Sequence, residues 1–501
     1  MALSVLALCF KQYDVVRQLL AVGAREDAAE LGEPGQGAGE PGQSAGALIS
    51  GTREDAQNVG PTWDVRQDAW AADGVPAELE ALLTVPADLE WPDKPVACLQ
   101  PDRYLPFSTQ YRALNVSVAM FPSAYRSLSE ASVWARCTVV HAAVLLPGLV
   151  PERRLASHVV GAQKCTSGSK AVQYECRRRA AKADGCQVDD FGIMPRTFSL
   201  NWPADCQRFL RFAKSADFAG SYWLEKPTNF DSHGWGQRLL SPTEMRAWLA
   251  VNDCSRPRPA VLVEYLADPM RVQRRKIDLR TYVLVASAAP LLVFAANGFA
   301  RVADVEYDLK NKDIKAHITN LFQQHDKLFK VNFSEAEALL EREGYEPGLL
   351  DGPFRERADR IAVFALEALR RTPAFAGAMQ ARRFALLAFD FVIDADGVAQ
   401  LVEGNAFPRI DPENVGHAVY DSALRLAVQV HANPRALIQR SWTELTVANN
   451  YWFDERWKLI FNDLEQRLTG KALNTCDALR IIRDSAVKAP RKAGGNEASA
   501  G

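Results

Sequence analysis

The chain has no C-x-x-C pair among its nine cysteines, little imbalance of charge and no long uninterrupted apolar run. Each absence removes a class of function. Scattered cysteines argue against a zinc ribbon or a dense disulfide framework, and they favour reduced thiols in a cytosolic compartment. The stretch "TVVHAAVLLPGLV" is broken by His141 and Pro147. It falls short of the roughly 20 apolar residues that a membrane helix needs. The opening "MALSVLALCF" lacks the basic flank of a secretory signal and continues into a helix-like segment, so it reads as a helix rather than a leader. A formal net charge of −2, from 59 Lys and Arg against 61 Asp and Glu, gives no global attraction for nucleic acid. The seven histidines are dispersed, and no convincing Ser–His or Cys–His nucleophile pair is visible.

With those classes set aside, the chain divides by composition. Residues 1–95 read as a helical extension. "DVVRQLLAVGARED" resembles the second helix and exit turn of an ankyrin repeat, and residues 68–91 have a similar helix–turn–helix spacing, but the T-P-L-H signature is missing and an ordinary helical hairpin is the alternative. Between them "GEPGQGAGEPGQSAG", residues 32–46, is too rich in Gly and Pro to bury a core and reads as a linker. Residues 96–470 form the main region, with its sharpest patterning over about 190–430, and a basic tail closes the segment 471–501.

Strand-like runs occur at 260–266, 280–287 and 290–302, and again in "FALLAFDFVID" and "AQLVEGNA". A helical segment, "RERADRIAVFALEALRR", precedes the fourth run, and "NYWFDERWKLIFNDLEQRL" reads as a closing amphipathic helix. Strands joined mainly by short turns predict an α+β fold of antiparallel sheets with packed helices.

Three constellations carry chemistry. Asp390 lies between Phe389 and Phe391, and a buried carboxylate needs a salt bridge, hydrogen bonds or a metal. Glu403 and Asn405 are two apart on the following strand, so they share a face, and the tight turn "DADG" can pair that strand with the one carrying Asp390. Two carboxylates and an amide oxygen are a hard-oxygen set suited to Mg²⁺. An arginine partner for Asp390 is the competing explanation. In "RRKIDLRTYVLV", Lys276, Asp278 and Arg280 alternate on one face and then run into an apolar strand, and Arg301 can add a cation from the neighbouring strand. In "YWLEKPTNFDSHGWGQRLL", Lys226 is followed by Gly234 and Gly236. A lysine before a Gly-rich loop suits phosphate, although the spacing is that of neither a Walker A loop nor a dinucleotide fingerprint.

Taken in order, "IMPRTFSL", "WLEKP" with "GWG", "VLVEYLADPMRVQRRKIDLRTYVLV", "GFARVA", "HITN", "FDFVID" and "LVEGNAFP" resemble the tubulin–tyrosine ligase-like family. The resemblance covers roughly residues 190–410. It implies an ATP-grasp fold around an ATP cleft and an ATP- and Mg²⁺-dependent carboxylate–amine ligase. Lys226 with the Gly234/Gly236 loop would hold phosphates. Val263, Glu264, Tyr265 and Leu266 would edge the adenine. Lys276 would reach the γ-phosphate and Asp278 the ribose. Arg280 and Arg301 would face the acyl phosphate and the incoming amino acid. Thr319 and Asn320 would line the same cleft, and Asp390, Glu403 and Asn405 would hold Mg²⁺.

The implied partners are tubulin or microtubule tails and a free amino acid, with no nucleic acid and no membrane. The implied location is cytoplasmic, at microtubules or cilia. Glutamate is the expected amino acid, with glycine and tyrosine as alternatives. A catalytically silent scaffold recruited through the N-terminal helices is the competing function. Arg274 stands where the family often has Gly, and Gly404 replaces an apolar residue.

Overall fold

The computed structural model describes residues 96–99, 117–120, 137–141, 155–156, 165–166, 170–183, 185, 192–228, 236–320, 324, 329–376, 382–406, 408, 416–432 and 457–463. The ankyrin-like segments, the 32–46 linker, Gly234 and the basic tail lie outside them. The described residues all fall in the unit that begins at Val65.

A four-stranded sheet opens the described part: β1 (Val96–Leu99), β2 (Ser117–Met120), β3 (Val139–His141) and β4 (Leu155–Ala156), in the order β2-β1-β3-β4. Its pairings are parallel; the antiparallel expectation rests on the strands from residue 260 onward. Helix α1 (Lys170–Ala183) follows.

The second sheet is antiparallel. It contains β5 (Thr197–Ser199), β6 (Tyr222–Pro227), β7 (Arg238–Leu240) and β8 (Ala260–Tyr265), in the order β5-β8-β6-β7. Helices α2 (Pro203–Phe212) and α3 (Pro242–Val251) pack on it. Ser241 and Glu244 form a reciprocal capping box that starts α3. Phe209 stands edge-to-face against Trp223 and Trp248, with centroids 5.3 and 5.8 Å apart. That aromatic core makes a rigid base for the strand bearing Lys226.

The third sheet is the scaffold of the molecule. It runs β12-β11-β10-β13-β14, with β9 (Arg271–Val272) beside β10 and β15 (Lys458–Asn462) beside β11. The other members are β10 (Arg275–Ala288), β11 (Leu291–Glu306), β12 (Phe329–Asn332), β13 (Ala385–Ile393) and β14 (Ala399–Asn405). Helix α4 (Phe333–Arg342) follows β12. Helix α5 (Arg355–Arg370) covers one face, where Ile277, Leu279, Val283 and Val285 meet Ile361, Ala365, Phe389 and Phe391. Helix α6 (Gly416–Ala432) covers the other, where Tyr282, Leu284 and Ala286 meet Val419, Ala423 and Trp457.

The alternation of a strand explains the charged triplet. Lys276, Asp278 and Arg280 share the face that continues into Tyr282, Leu284 and Ala286. The charges therefore sit at the mouth of the α6-side core. Gln273 and Arg274 close the β9–β10 hairpin with φ of 50° and 62°. A two-residue hairpin favours such left-handed positions, which accounts for a glycine preference where this chain has Arg274.

Two expectations are corrected. Within the segment read as a closing helix, the described part forms β15, because Phe461 is buried and the backbone completes the β11 ladder at Leu292–Ala295. Sheet pairing overrides a helical pattern there. The thiols expected to be reduced pair instead. Cys165 joins Cys176 and Cys206 joins Cys254, with Cα separations of 5.4 and 5.8 Å. Distant spacing in sequence hid partners that folding brings side by side. Among the described residues no helix is long and apolar enough to cross a membrane.

His431, near the end of α6, is 9% exposed. Burial, helped by the Arg382 charge, pushes its pKa to about 3. The unfolded chain takes up this proton near 6.5 and the folded chain only near 3, so protons in that window favour unfolding. Stability should fall as pH drops below about 6.5, by about 2 kcal/mol on reaching pH 5 at about 1.4 kcal/mol per pH unit. Urea titrations at pH 7 and 5 test this. His431→Leu should flatten the dependence, and an unchanged slope would assign it to other groups.

Candidate active site

Asp390 and Glu403 are directly opposed across β13 and β14. The register shifts by one between Asp390 and Phe391, a bulge next to the acid. Phe389 and Phe391 point into the α5-side core, while Asp390 points to the other face. The Arg280 fork closes on Asp390, with Nε–Oδ1 2.7 Å and Nη2–Oδ2 2.8 Å. Arg301 Nη2 adds a contact to Oδ2 at 3.2 Å, and Asn405 Nδ2 donates to the same oxygen at 3.4 Å. Burial works against the charge on Asp390, but the two guanidiniums outweigh it and hold the carboxyl far below its usual range. The acid flanked by phenylalanines is thus compensated by arginine.

Arg301 also grips Asp278, with Nε–Oδ1 2.6 Å and Nη2–Oδ2 2.9 Å. Thr319 Oγ1 donates to Asp278 as well. Burial opposes the Arg301 charge and the carboxylates of Asp278 and Asp390 restore it. These bonds engage Nε and Nη2 and do not use Nη1.

A cleft of about 250 Å³ gathers Lys226, Val263, Glu264, Tyr265, Leu266, Lys276, Asp278, Arg301, Thr319, Asn320, Asp390 and Glu403 along its walls. Arg280 and Asn405 are not on those walls; they hold Asp390 from beside it. Gly236 has φ 68° and is followed by Gln237, which lines the cleft. Burial, and then the Lys170 charge, push Lys226 well below the usual lysine pKa. Burial lowers Lys276 to about 8, partly offset by Asp278. A second depression of about 900 Å³ lies alongside, between β7, α3 and residues 309–314. It shares Gln237 and His317 with the cleft but none of the strand-borne carboxylates.

Sequence reasoning missed the contribution of α1. Lys170 Nζ lies 2.9 Å from Glu403 Oε2. Burial would raise the Glu403 pKa, and the Lys170 charge holds it below the usual value. One turn on, Gln173 clasps the Gly404 backbone from both sides. Its Oε1 accepts from Gly404 N at 3.0 Å, and its Nε2 donates to Gly404 O at 3.3 Å. The i, i+3 spacing that puts both side chains on one helix face was readable, but nothing local ties α1 to β14. His317 also lines the cleft.

Gly404 has a physical reason. A Cβ there would stand 1.7 Å from the Thr166 carbonyl oxygen and 3.0 Å from the Phe389 ring. No side chain fits unless backbone moves.

The set fits a divalent cation by donor chemistry. Asp390 and Glu403 are held ionised beside the Asn405 amide, and Mg²⁺ takes such hard oxygens while drawing its remaining ligands from water and phosphates. Among the described residues no group of three His, Cys, Asp or Glu side chains is gathered. The fit therefore rests on two acids and an amide.

Residues 157–420 match the Tubulin-tyrosine ligase family. The chain belongs to that family. Its motifs stand in the family's order on β6, β8, β10, β11, β13 and β14, and the ATP-grasp-like α+β expectation is met. Among curated relatives, the human protein named Inactive polyglycylase TTLL10 is 37% identical over 145 residues, covering 26% of this chain and 21% of that protein. The rat Protein polyglycylase TTLL10 is 27% identical over 158 residues, 29% of this chain and 22% of that protein. The mouse Tubulin polyglutamylase TTLL5 is 32% identical over 134 residues, 26% of this chain and 9% of that protein. The aligned part is thus about a fifth of the TTLL10 proteins and less of TTLL5.

Gly404→Ala should cost about 1–3 kcal/mol, the range for forcing extra volume into a packed site. A thermal melt should show a fall of several degrees. An unchanged melting temperature would mean that the Thr166 segment moves aside freely.

Proposed function

We propose that the chain is an ATP-dependent ligase that joins a free amino acid, glutamate as first choice, to a carboxylate on a protein acceptor, with tubulin tails as the acceptor. The observation that carries this reading is the single cleft onto which Lys226, Lys276, Asp278, Arg301, Asp390 and Glu403 converge. Family membership and relatives named as polyglycylases and polyglutamylases support it.

A carboxylate is a poor acyl donor. Transfer of the γ-phosphoryl from ATP to the acceptor carboxylate gives an acyl phosphate; attack by the amine forms the amide and releases phosphate. Such transfer needs alignment and charge neutralisation more than covalent help. Val263–Leu266 border the adenine. Asp278 keeps lone pairs for the ribose beyond those used by Arg301 and Thr319. Lys226 and Lys276 meet the phosphates. Arg301 presents Nη1 to the acyl phosphate and the amino-acid carboxylate. Arg280 acts by fixing Asp390. Asp390, Glu403 and Asn405 would hold Mg²⁺, which supplies charge neutralisation at the phosphates when bound.

The test is mass spectrometry of tubulin incubated with the protein, ATP, Mg²⁺ and each of glutamate, glycine and tyrosine. A mass increment matching one amino acid is expected, and Glu403→Gln should abolish it while the protein stays folded, with a melting temperature lowered only by the lost Lys170 ion pair. Arg301→Lys should reduce kcat/KM for the amino acid roughly 30- to 1,000-fold, as for loss of a preorganised donor. The ATP dissociation constant should change less than this, by no more than the loosened hold of Arg301 on Asp278 and Asp390 allows. No increment with any amino acid, alongside intact ATP binding, would favour the silent-scaffold reading, for which the human relative named as inactive is the supporting observation.

A further inference from the structure

Lys276 is buried at 5% exposure and is held by more than its strand. Its Nζ donates to the His317 carbonyl at 2.8 Å and reaches the Tyr265 hydroxyl at 3.5 Å. The same ammonium lies 4.8 Å from the centre of the Tyr265 ring. The Tyr265 hydroxyl is 3.1 Å from His317 Nδ1, and His317 Nε2 is 2.7 Å from the Asn311 carbonyl oxygen. The His317 ring sits edge-on to Tyr265 and Tyr307, with centroids 5.5 and 5.7 Å away. This packing fixes its plane.

The direction of each bond follows from what each atom can do. A carbonyl oxygen only accepts, so Nε2 carries the hydrogen. In the neutral ring Nδ1 is then an acceptor. Along its 3.1 Å contact the Tyr265 hydroxyl donates to that nitrogen, with the Tyr307 hydroxyl beside it as a second acceptor, and turns its lone pairs toward Lys276. Burial, which lowers the His317 pKa, favours that neutral ring. The chain of bonds runs one way, from Lys276 through Tyr265 and His317 to Asn311.

We propose that Tyr265 and His317 are positioning residues that aim the Lys276 ammonium at the terminal phosphate, so that the hinge beside the adenine also sets discrimination of ATP from ADP. This rests on the reading of Lys276 as the γ-phosphate lysine. Neither residue need touch the reacting atoms. Without the relay the ammonium keeps its charge but loses its fixed direction, and a contact made only with the third phosphate suffers most.

The experiment is calorimetric measurement of ATP and ADP dissociation constants on the full chain. Tyr265→Phe keeps the ring and removes only the hydroxyl. It should lower the ratio of ATP to ADP affinity roughly tenfold, the size of one lost bond to a charged group, with ADP affinity falling less than ATP affinity. His317→Gln, which loses the acceptor at the Nδ1 position, should do the same, while His317→Asn, which restores an acceptor there, should retain most of the ratio. The double variant Tyr265→Phe/His317→Gln should be no worse than either single change, because both break one relay. If Lys276→Met lowers the ratio but Tyr265→Phe and His317→Gln do not, the relay is refuted and the phosphate assignment stands. If Lys276→Met itself leaves the ratio unchanged, the assignment of Lys276 fails and the relay with it.

Discussion

One carboxylate organises this site. Asp390 is 3% exposed on a strand whose neighbouring side chains fill a hydrophobic core. Left alone it would cost several kcal/mol. The chain resolves this with Arg280 from β10, which pairs with β13, and Arg301 from β11, one strand further along the sheet, both in ion-pair contact with it. Because Arg301 also binds Asp278, β10, β11 and β13 are tied together by alternating charge where their apolar cores end. Removing one member would leave another buried and unpaired, the expensive case for buried ion pairs. The cleft therefore inherits fixed positions for Asp278, Arg301 and Asp390 from a network that also stabilises the sheet.

A second device sets the other carboxylate. Glu403 belongs to β14, at the edge of the sheet path, where a strand end has fewer neighbours to hold it. Helix α1 supplies the missing restraint through Lys170 on Glu403 and Gln173 on the Gly404 backbone. The glycine is needed because the Thr166 carbonyl passes directly over it. Side-chain contact and backbone proximity together fix the turn of β14 that presents Glu403 and Asn405.

What the sequence discloses and what it hides follow from the range of the interactions. The alternation in Lys276–Arg280, the pairing of β13 with β14 across "DADG", and the run of α5 are local patterns, so they are legible residue by residue. The ordered motifs supplied the remaining cleft residues. The exchange of Asp390 between two arginines was only one of the alternatives for that acid, because spacing does not say which partner lies across a sheet. Lys170 and Gln173 lie more than two hundred residues from β14, and the disulfide pairs and β15 likewise depend on contacts made only after folding. The parallel pairing of β1–β4 escaped notice because those strands are two to four residues long and carry little pattern.

The central claim is that the compensated carboxylates also serve a metal-bound nucleotide. Crystals grown with Mn²⁺ and a non-hydrolysable ATP analogue test it most directly, because Mn²⁺ gives an anomalous signal. The account predicts an anomalous peak about 2.0–2.2 Å from oxygens of Asp390 and Glu403, next to the analogue's phosphates. A nucleotide seated in the cleft with its metal away from both carboxylates, and Asp390 engaged only by Arg280 and Arg301, would contradict it.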